Sequence, residues 1–301
     1  MTEVSHPEKV MFPDVGITKG EMVAYYKAVA PRMLPHLVDR PLTLQRFPGG
    51  IAYSGFMQKH ATKGYPDYIR RIELPKQGGT VNYPVIDDEQ GLLYLANQNT
   101  VTFHIPCFRV SDLSHPDRLV FDLDPAQGDV DGARFGARAI ADFLSELEVP
   151  SWVMTSGSKG FHVVVPLDPT IDFEELARFS HGVAHFVALH HPQRLTLEFL
   201  KKDRKDRVFV DWLRNHFGAT GVSPYSLRPR DGAPVAMPIR WEDLPNTAPD
   251  QFNLKSALEL LDDDPWNDPQ SFDLSDAVGL MDHMIDESGV ELTEFDRFGR
   301  T

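Results

Sequence analysis

The stretch from Arg118 to Leu213 constrains the fold more than any other part of the chain. RLVFDLD at 118–124 alternates as a strand, DGARFGARAIADFLSELE at 131–148 has helical periodicity, and SWVMTS at 151–156 is again strand-like. SGSKG at 156–160 turns directly into the strand FHVVVPL. DFEELARFSHGVAHFVALHH at 172–191 reads as an amphipathic helix opened by a D-x-x-E cap, and RVFVDWL at 207–213 as one more strand. A helix must bury one apolar stripe and a strand one apolar face, so this order is satisfied when two helices cover one face of a sheet. The predicted class is α/β or α+β, with a core of mixed β-sheets flanked by helices.

Upstream, Thr18 to Glu21 form a capping box, and Met22, Tyr25, Tyr26 and Val29 follow at helical spacing. Pro31 and Pro35 are expected to break or end that helix. RPLTLQRFPGG is strand-like up to Pro48, Gly49 and Gly50, and a loop-rich stretch then reaches Gly79. Residues 80–86 and 100–105 read as strands, with a helix at 90–98 between them. The reading is a body over residues 1–241, divided into an N-terminal β-rich module of about 1–110 and a central core of about 111–241. Residues 242–301, where Pro- and Asp-rich loops separate two short helical stretches, form a wrapping segment.

Of 301 residues, 42% are hydrophobic and 25% charged, as in an ordinary globular protein. No run approaches the roughly 18–20 apolar residues needed to span a bilayer, and MTEVSHPEKV lacks a secretory apolar region, so a cytoplasmic protein with no membrane partner is expected. Cys107 is the single cysteine, without a partner for a disulfide or a CxxC zinc site, and reads as a partly buried small side chain. A net charge of −14 argues against holding DNA, but it is unevenly spread. Residues 242–301 hold 16 acidic and 3 basic residues, against 28 and 27 in residues 1–241. The nearly neutral body can therefore carry local basic patches, such as RLTLEFLKKDRKDR at 194–207.

Asp122 and Asp124 lie two apart on one strand, so they project to the same side while Leu119, Phe121 and Leu123 face the other. Two adjacent carboxylates repel one another unless a cation bridges them, and hard divalent ions prefer oxygen ligands. The competing account is a strand end with two solvated aspartates. Asp211 ends the apolar alternation of RVFVDW, where a charge needs either a metal or a salt bridge, with Arg207 and Arg214 the available partners. Three such carboxylates on neighbouring strands suit the two-ion arrangement used for phosphoryl displacement. In TSGSKGFH at 155–162, glycines permit tight curvature, Ser156 and Ser158 and main-chain amides can donate to phosphate, and Lys159 adds a point charge. A plain hairpin turn has the same composition. It is no Walker loop, since it leads into a strand. His162 can reach the same phosphates or simply pack. His181 and His185 have the i, i+4 spacing of a zinc pair, but without a third ligand nearby they read as helix surface.

The ordered series KVMFPDVGITKGEMVAYY, RPLTLQRFPGG, FMQKH, YPVIDDEQGLLYLANQ, FHIPC, LVFDLDP, TSGSKGFHVVVPL, VFVDWLRN and PYSLRPR resembles the polymerase domain of bacterial ligase D, within the archaeo-eukaryotic primase superfamily. The resemblance covers almost the whole chain. It implies a primase-like catalytic core with the N-terminal β-rich module packed against it. It also implies addition of ribo- or deoxyribonucleotides with two divalent ions, Mn²⁺ or Mg²⁺, and a place in non-homologous end joining beside Ku and an ATP-dependent DNA ligase. By position, Asp122, Asp124 and Asp211 match the metal-binding catalytic carboxylates. Ser156, Ser158, Lys159 and His162, with His104 and Arg228, match the site for the incoming triphosphate. Lys9 and Lys19 match residues that grip a downstream 5′-phosphate at gaps or broken ends, and Phe56 an aromatic that stacks on the template, a contact that needs no base reading. Gln45 and Met57 stand where related domains often carry a basic residue and a second aromatic, which implies altered DNA contacts.

The predicted function is thus a template-dependent primase-polymerase of a prokaryotic, nucleoid-associated repair system, either stand-alone or part of a larger ligase. Two other classes compete. A metal-dependent nuclease would also use clustered carboxylates, though not a triphosphate loop. A non-catalytic DNA-end adaptor would keep the lysines and Phe56 but not the carboxylate trio.

Overall fold

The computed structural model describes residues 3–76, 78–126, 128–267 and 270–292. In chain order the elements are β1 (Val10–Phe12), β2 (Ile17–Thr18), α1 (Lys19–Leu37), β3 (Thr43–Arg46), β4 (Phe56–Gln58), β5 (Arg70–Lys76), β6 (Gly79–Val85), α2 (Glu89–Asn97) and β7 (Thr100–Ile105). Then come β8 (Arg118–Asp124), α3 (Val130–Glu146), β9 (Trp152–Thr155), β10 (Phe161–Pro166), α4 (Phe173–His190), β11 (Leu195–Thr196) and β12 (Val208–Asp211). β13 (Gly221–Val222), β14 (Pro238–Ile239), α5 (Leu254–Glu259) and α6 (Ser275–Ser288) follow.

The central elements form a six-stranded sheet in the order β11-β12-β8-β10-β9-β14. It is mixed, because β11 and β12 run parallel while the other pairs are antiparallel. Leu119, Phe121, Leu123, Val163, Val165, Val208 and Val210 all point to one face, where α3 and α4 cover them with Ile140, Leu144, Leu176 and Val183. Both helices begin on side-chain caps: the Asp129 carboxylate accepts from the Gly132 amide, and Asp172 and Glu175 form a reciprocal capping box.

The N-terminal part builds a second, antiparallel sheet, β13-β7-β3-β4, backed by α1 and α2 through Met22, Tyr26, Met33, Leu44, Leu92 and Phe103. β13 comes from after β12, so the chain crosses between the two parts more than once. The segment from Val222 to Ile239 stitches the sheets together: the Ser226 hydroxyl accepts from the Phe103 amide, Thr102 donates to the Leu227 carbonyl, and the Thr155 amide donates to the Met237 carbonyl. The C-terminal segment reaches both cores, with Leu254 and Ala257 of α5 on the first part and Met281 and Ile285 of α6 against α4. The end of that wrapping segment, residues 293–301, lies outside the described residues.

Three local expectations change. α1 does not stop at Pro31 or Pro35 but runs through both to Leu37. Each proline removes one helical hydrogen bond, yet Val29, Ala30, Met33 and Leu37 continue the buried stripe past them, and that burial outweighs a cost of about 3 kcal/mol per interior proline. The stretch expected as loop up to Gly79 contains β4 and β5, short or half-exposed strands whose alternation is weak. The strand expected at 207–213 is only Val208–Asp211, because the chain turns at once into a single 3-10 turn at Leu213–Asn215.

Candidate active site

The face of the six-stranded sheet opposite α3 and α4 turns toward the β7 sheet, and Asp122 stands in its middle. β8 is antiparallel to both neighbours, which puts Asp211 directly across from Asp122 on one flank and His162 on the other. Asp124 shares the face, across from Phe209. The register is enforced by the core: slipping either pair by one residue would send these carboxylates in among the leucines and valines under α3 and α4. The 3-10 turn after β12 is braced by buried Asn215, which accepts from the Val120 amide at 2.8 Å and donates to the Val120 carbonyl at 2.9 Å.

That turn carries Arg214 back over the carboxylates. Its Nη2 is 3.1 Å from Asp122 Oδ2 and 3.1 Å from Asp211 Oδ2, while Asp211 Oδ1 accepts from the Leu213 amide at 3.0 Å. His162 Nε2 lies 3.4 Å from Asp122 Oδ1. Arg204 Nη1 lies 3.9 Å from Asp124 Oδ2, its guanidinium held over the Phe209 ring at 4.1 Å. Of the two arginines considered for a salt bridge with Asp211, Arg214 makes one, and Arg207 donates to the Arg204 and Asp203 carbonyls instead. Arg204 lies in the basic patch at 194–207 and Asn215 ends the motif VFVDWLRN, but neither is singled out there, since their roles depend on where the chain folds back.

The arginines do not cancel the repulsion within the trio. Burial, followed by the charges of Asp122 and Asp124, pushes the Asp211 carboxyl up to about 6 against the pull of Arg214. Burial and Asp122 likewise raise Asp124. For Asp122 itself, burial would raise the carboxyl, but His162, Arg214 and Arg228 together hold it well below the ordinary range. Among the described residues no three His, Cys, Asp or Glu side chains are grouped as a finished metal site, and Arg214 lies between two of the aspartates. Three mutually repelling oxygen donors on one face are nonetheless the donor set that a hard divalent cation takes, and no sulfur or imidazole competes for that role in the trio.

The loop between β9 and β10 lies over the end of β8. It is a closed turn: the Ser156 amide donates to the Gly160 carbonyl at 3.0 Å, and the Gly160 amide donates to Ser156 Oγ at 3.1 Å. Gly157 has φ +62, a left-handed conformation that glycine adopts without strain, and a Cβ there would meet Arg228 Cγ at 2.7 Å. At Gly160 a Cβ would fall 1.8 Å from the Leu123 carbonyl oxygen. The two glycines therefore seat the loop on β8 and on Arg228, leaving Lys159 exposed at its tip. Arg228 Nη1 donates to the Ser156 carbonyl at 3.2 Å, while its Nε is buried without a partner among the described residues. His104 on β7 faces the same cleft; burial, then Arg228, Arg214 and His162, push its imidazole down to about 3, so it is neutral. All six residues expected around a triphosphate thus lie on the loop, on β10 or on elements that border them.

The residues assigned to DNA gather elsewhere, at the edge of the β7 sheet. Lys9 Nζ donates to the Pro48 carbonyl at 2.6 Å and to Asn99 Oδ1 at 3.2 Å. Lys19, only 2% exposed, donates to the carbonyl and hydroxyl of Ser5, both at 2.7 Å. Burial, then the charges of Lys9 and Arg46, lower the Lys19 ammonium from its ordinary value. Arg46 also sits 5.6 Å from the ring centre of Phe56, which is 48% exposed. Arg46 was not among the expected contacts, although it lies in the quoted motif RPLTLQRFPGG. Cys107 is buried, which pushes its thiol up to about 11. His181, read as helix surface, is instead half-buried and stacks on Trp212 at 4.0 Å between ring centres.

Residues 18–269 match the model of the LigD primase-polymerase domain. The chain is 33% identical over 264 residues to the multifunctional non-homologous end joining protein LigD of Mycolicibacterium smegmatis, covering 86% of this chain and 34% of that protein. It is 28% identical over 257 residues to the bifunctional LigD of Bacillus subtilis, covering 84% of this chain and 41% of that one. It therefore spans well under half the length of these relatives. Its fold matches the polymerase domain of Mycobacterium tuberculosis ligase D, solved in complex with DNA, with a TM-score of 0.83, 31% identity and coverage of 93% and 98% of the two chains. With the mixed sheets, the carboxylate face and the turn over β8 in place, the chain belongs to the LigD primase-polymerase domain family and is a nucleotidyltransferase domain of the DNA-directed polymerase type.

Proposed function

We propose that this domain adds ribo- or deoxyribonucleotides to DNA ends and gaps under template direction, in the non-homologous end joining that its relatives are named for. The observation that carries the reading is the placement of Asp122 between Asp211 and His162, with the Ser156–Gly160 turn over the end of the same strand. Asp122, Asp124 and Asp211 would hold two divalent ions, Mn²⁺ or Mg²⁺. When bound, these ions neutralise charge on the reacting phosphates of an in-line displacement.

The chain's own residues do the rest. Ser156, Ser158, Lys159, His162 and Arg228 hold and orient the triphosphate. Arg228 is suited to this because its buried guanidinium has an unsatisfied Nε beside the loop. The neutral imidazole of His104 lines the cleft as a donor or acceptor without adding charge. Lys9 and Lys19 would take a downstream 5′-phosphate, and Phe56 would cover a template base. The body so described comprises residues 1–241, with residues 242–301 as its wrapping segment. Ku and an ATP-dependent ligase are the partners this role calls for.

Incorporation of labelled nucleotide on a gapped duplex tests the proposal against its rivals. A polymerase lengthens the primer, a nuclease shortens it, and an adaptor binds without changing it. Only the first outcome sustains the reading.

A further inference from the structure

The same face of β8 that carries Asp122 also carries Arg118, two strand steps away and on the far side of Val120 and Val164. There α1, the start of β8 and the segment around Trp266 line a separate cavity of about 390 Å³. Four arginines and two aspartates line it, two positive charges in excess. Three of those arginines are fully engaged. Arg40 donates to both oxygens of Asp117, at 2.7 and 2.5 Å, and to the carbonyls of His36, Pro106 and Phe108. Arg109 Nε shares Asp117 Oδ2 at 2.8 Å, and its other nitrogens reach the Val38 and Pro35 carbonyls. Arg32 is held by Asp264 and the Leu261 carbonyl.

Arg118 is different. It is 6% exposed, and its Nε is buried with no hydrogen-bond partner among the described residues. The adjacent Asp117 accepts from Arg40 and Arg109, and no hydrogen bond joins it to Arg118. A guanidinium in a protein interior is costly even with a carboxylate nearby, and leaving a buried donor unmet adds to that cost. The surroundings respond to the excess: burial, then Arg118, Arg40 and Arg109, push His36 down to about 3, so its imidazole stays neutral against Trp266. The cavity thus offers guanidinium and imidazole nitrogens, two surplus charges, and an aromatic wall.

We propose that this cavity is a binding site for a small phosphate-class dianion, separate from the carboxylate face and seated on the guanidinium of Arg118. A dianion matches the surplus of two charges, and phosphate is one near neutral pH. Planar guanidinium donors suit its oxygens better than an ammonium would. The ligand can be free phosphate or pyrophosphate, or the phosphate of a nucleotide whose base lies against the Trp266 wall. The inference does not depend on the proposed polymerase chemistry.

The test uses a Lys159→Ala, Arg228→Ala background, which removes two cationic groups at the loop and leaves the Arg118 cavity intact. Thermal unfolding is followed against inorganic phosphate, pyrophosphate and a nucleoside monophosphate, with potassium chloride at matched ionic strength. Saturable stabilisation is expected with phosphate but not with chloride, as for any ligand that binds the folded state alone. Arg118→Met should weaken it at least about tenfold while the ligand-free protein folds as well as its parent or better, because an apolar isostere relieves a buried charge. Arg118→Lys, which retains the charge without the planar fork, should give an intermediate affinity and serves if the Met variant does not fold. A nucleoside monophosphate acting at a tenth of the phosphate concentration identifies a nucleotide site, and equal potency identifies a free-phosphate site. No saturable response in the parent, or an unchanged response in the Arg118 variants, overturns the proposal.

Discussion

Asp211 stands directly across from Asp122 in the antiparallel pair of β12 and β8, and one nitrogen of Arg214 lies 3.1 Å from a carboxylate oxygen of each. A single guanidinium thus serves two carboxylates, with Asp124 on the same face. Burial raises the Asp211 and Asp124 carboxyls, and the nearby arginines offset it only in part.

A stability profile follows from the raised Asp211 carboxyl. The folded state holds the Asp211 proton up to about 6, above the ordinary 3.8. Its contribution is therefore fully present below the ordinary value and is lost as pH rises through about 6. Asp122 is depressed and acts oppositely, losing its contribution only below the ordinary carboxylate range. Without divalent ions, the melting temperature should fall across the window from about 4 to 6 by more in the wild type than in Asp211→Asn. Mn²⁺ should flatten the difference, because a bound cation displaces the proton. Parallel profiles for the two proteins, measured by differential scanning fluorimetry, would remove Asp211 from this role.

Replacing Asp122, Asp124 or Asp211 singly by Ala should reduce nucleotide addition by about a thousandfold, equivalent to several kcal/mol of lost charge stabilisation. The far-UV circular dichroism should not change, since each residue lies on the face away from the α3 and α4 core. Primer extension reads the first result. Near-wild-type extension by any of the three would contradict the metal-ligand assignment.

The turn over β8 can be tested at two neighbouring positions with different signatures. Lys159 is exposed, so Lys159→Ala should raise KM for nucleotide about tenfold with little change in melting temperature. Gly160 faces the Leu123 carbonyl oxygen at a distance no Cβ tolerates, so Gly160→Ala should both raise KM and destabilise the fold by about 1–3 kcal/mol. If both variants bound and turned over nucleotide like the wild type, the segment would be a hairpin and nothing more.

Lys9 and Lys19 should make binding to a short gapped duplex tighter when the downstream strand ends in a 5′-phosphate than when it ends in hydroxyl. The preference should shrink with added salt. Lys9→Ala with Lys19→Ala should erase it and leave extension on an open template largely intact. Because Lys19 is tied to Ser5, Lys9→Ala alone serves as the milder control. Fluorescence anisotropy with both duplexes decides; equal wild-type affinities would leave a generic primer-extending domain.

Much of this protein was legible in its sequence because it rests on period and local chemistry. Alternation over 118–124 gave β8 with its two-faced character, the capping residues Thr18 and Asp172 marked the starts of α1 and α4, and TSGSKG gave the turn. The ordered motifs gave the family. The sequence could not show that α1 continues through Pro31 and Pro35, since burial against the β7 sheet decides that and propensity opposes it. Nor could it choose between a metal and a salt bridge for Asp211. The salt bridge depends on a 3-10 turn that brings Arg214 over Asp211 and over Asp122, 92 positions away. The cavity of Arg118 was equally invisible, because it forms only where α1, β8 and Trp266 meet. Local pattern fixes which face a side chain takes, but which charges finally share a space is set by contacts distant in the chain.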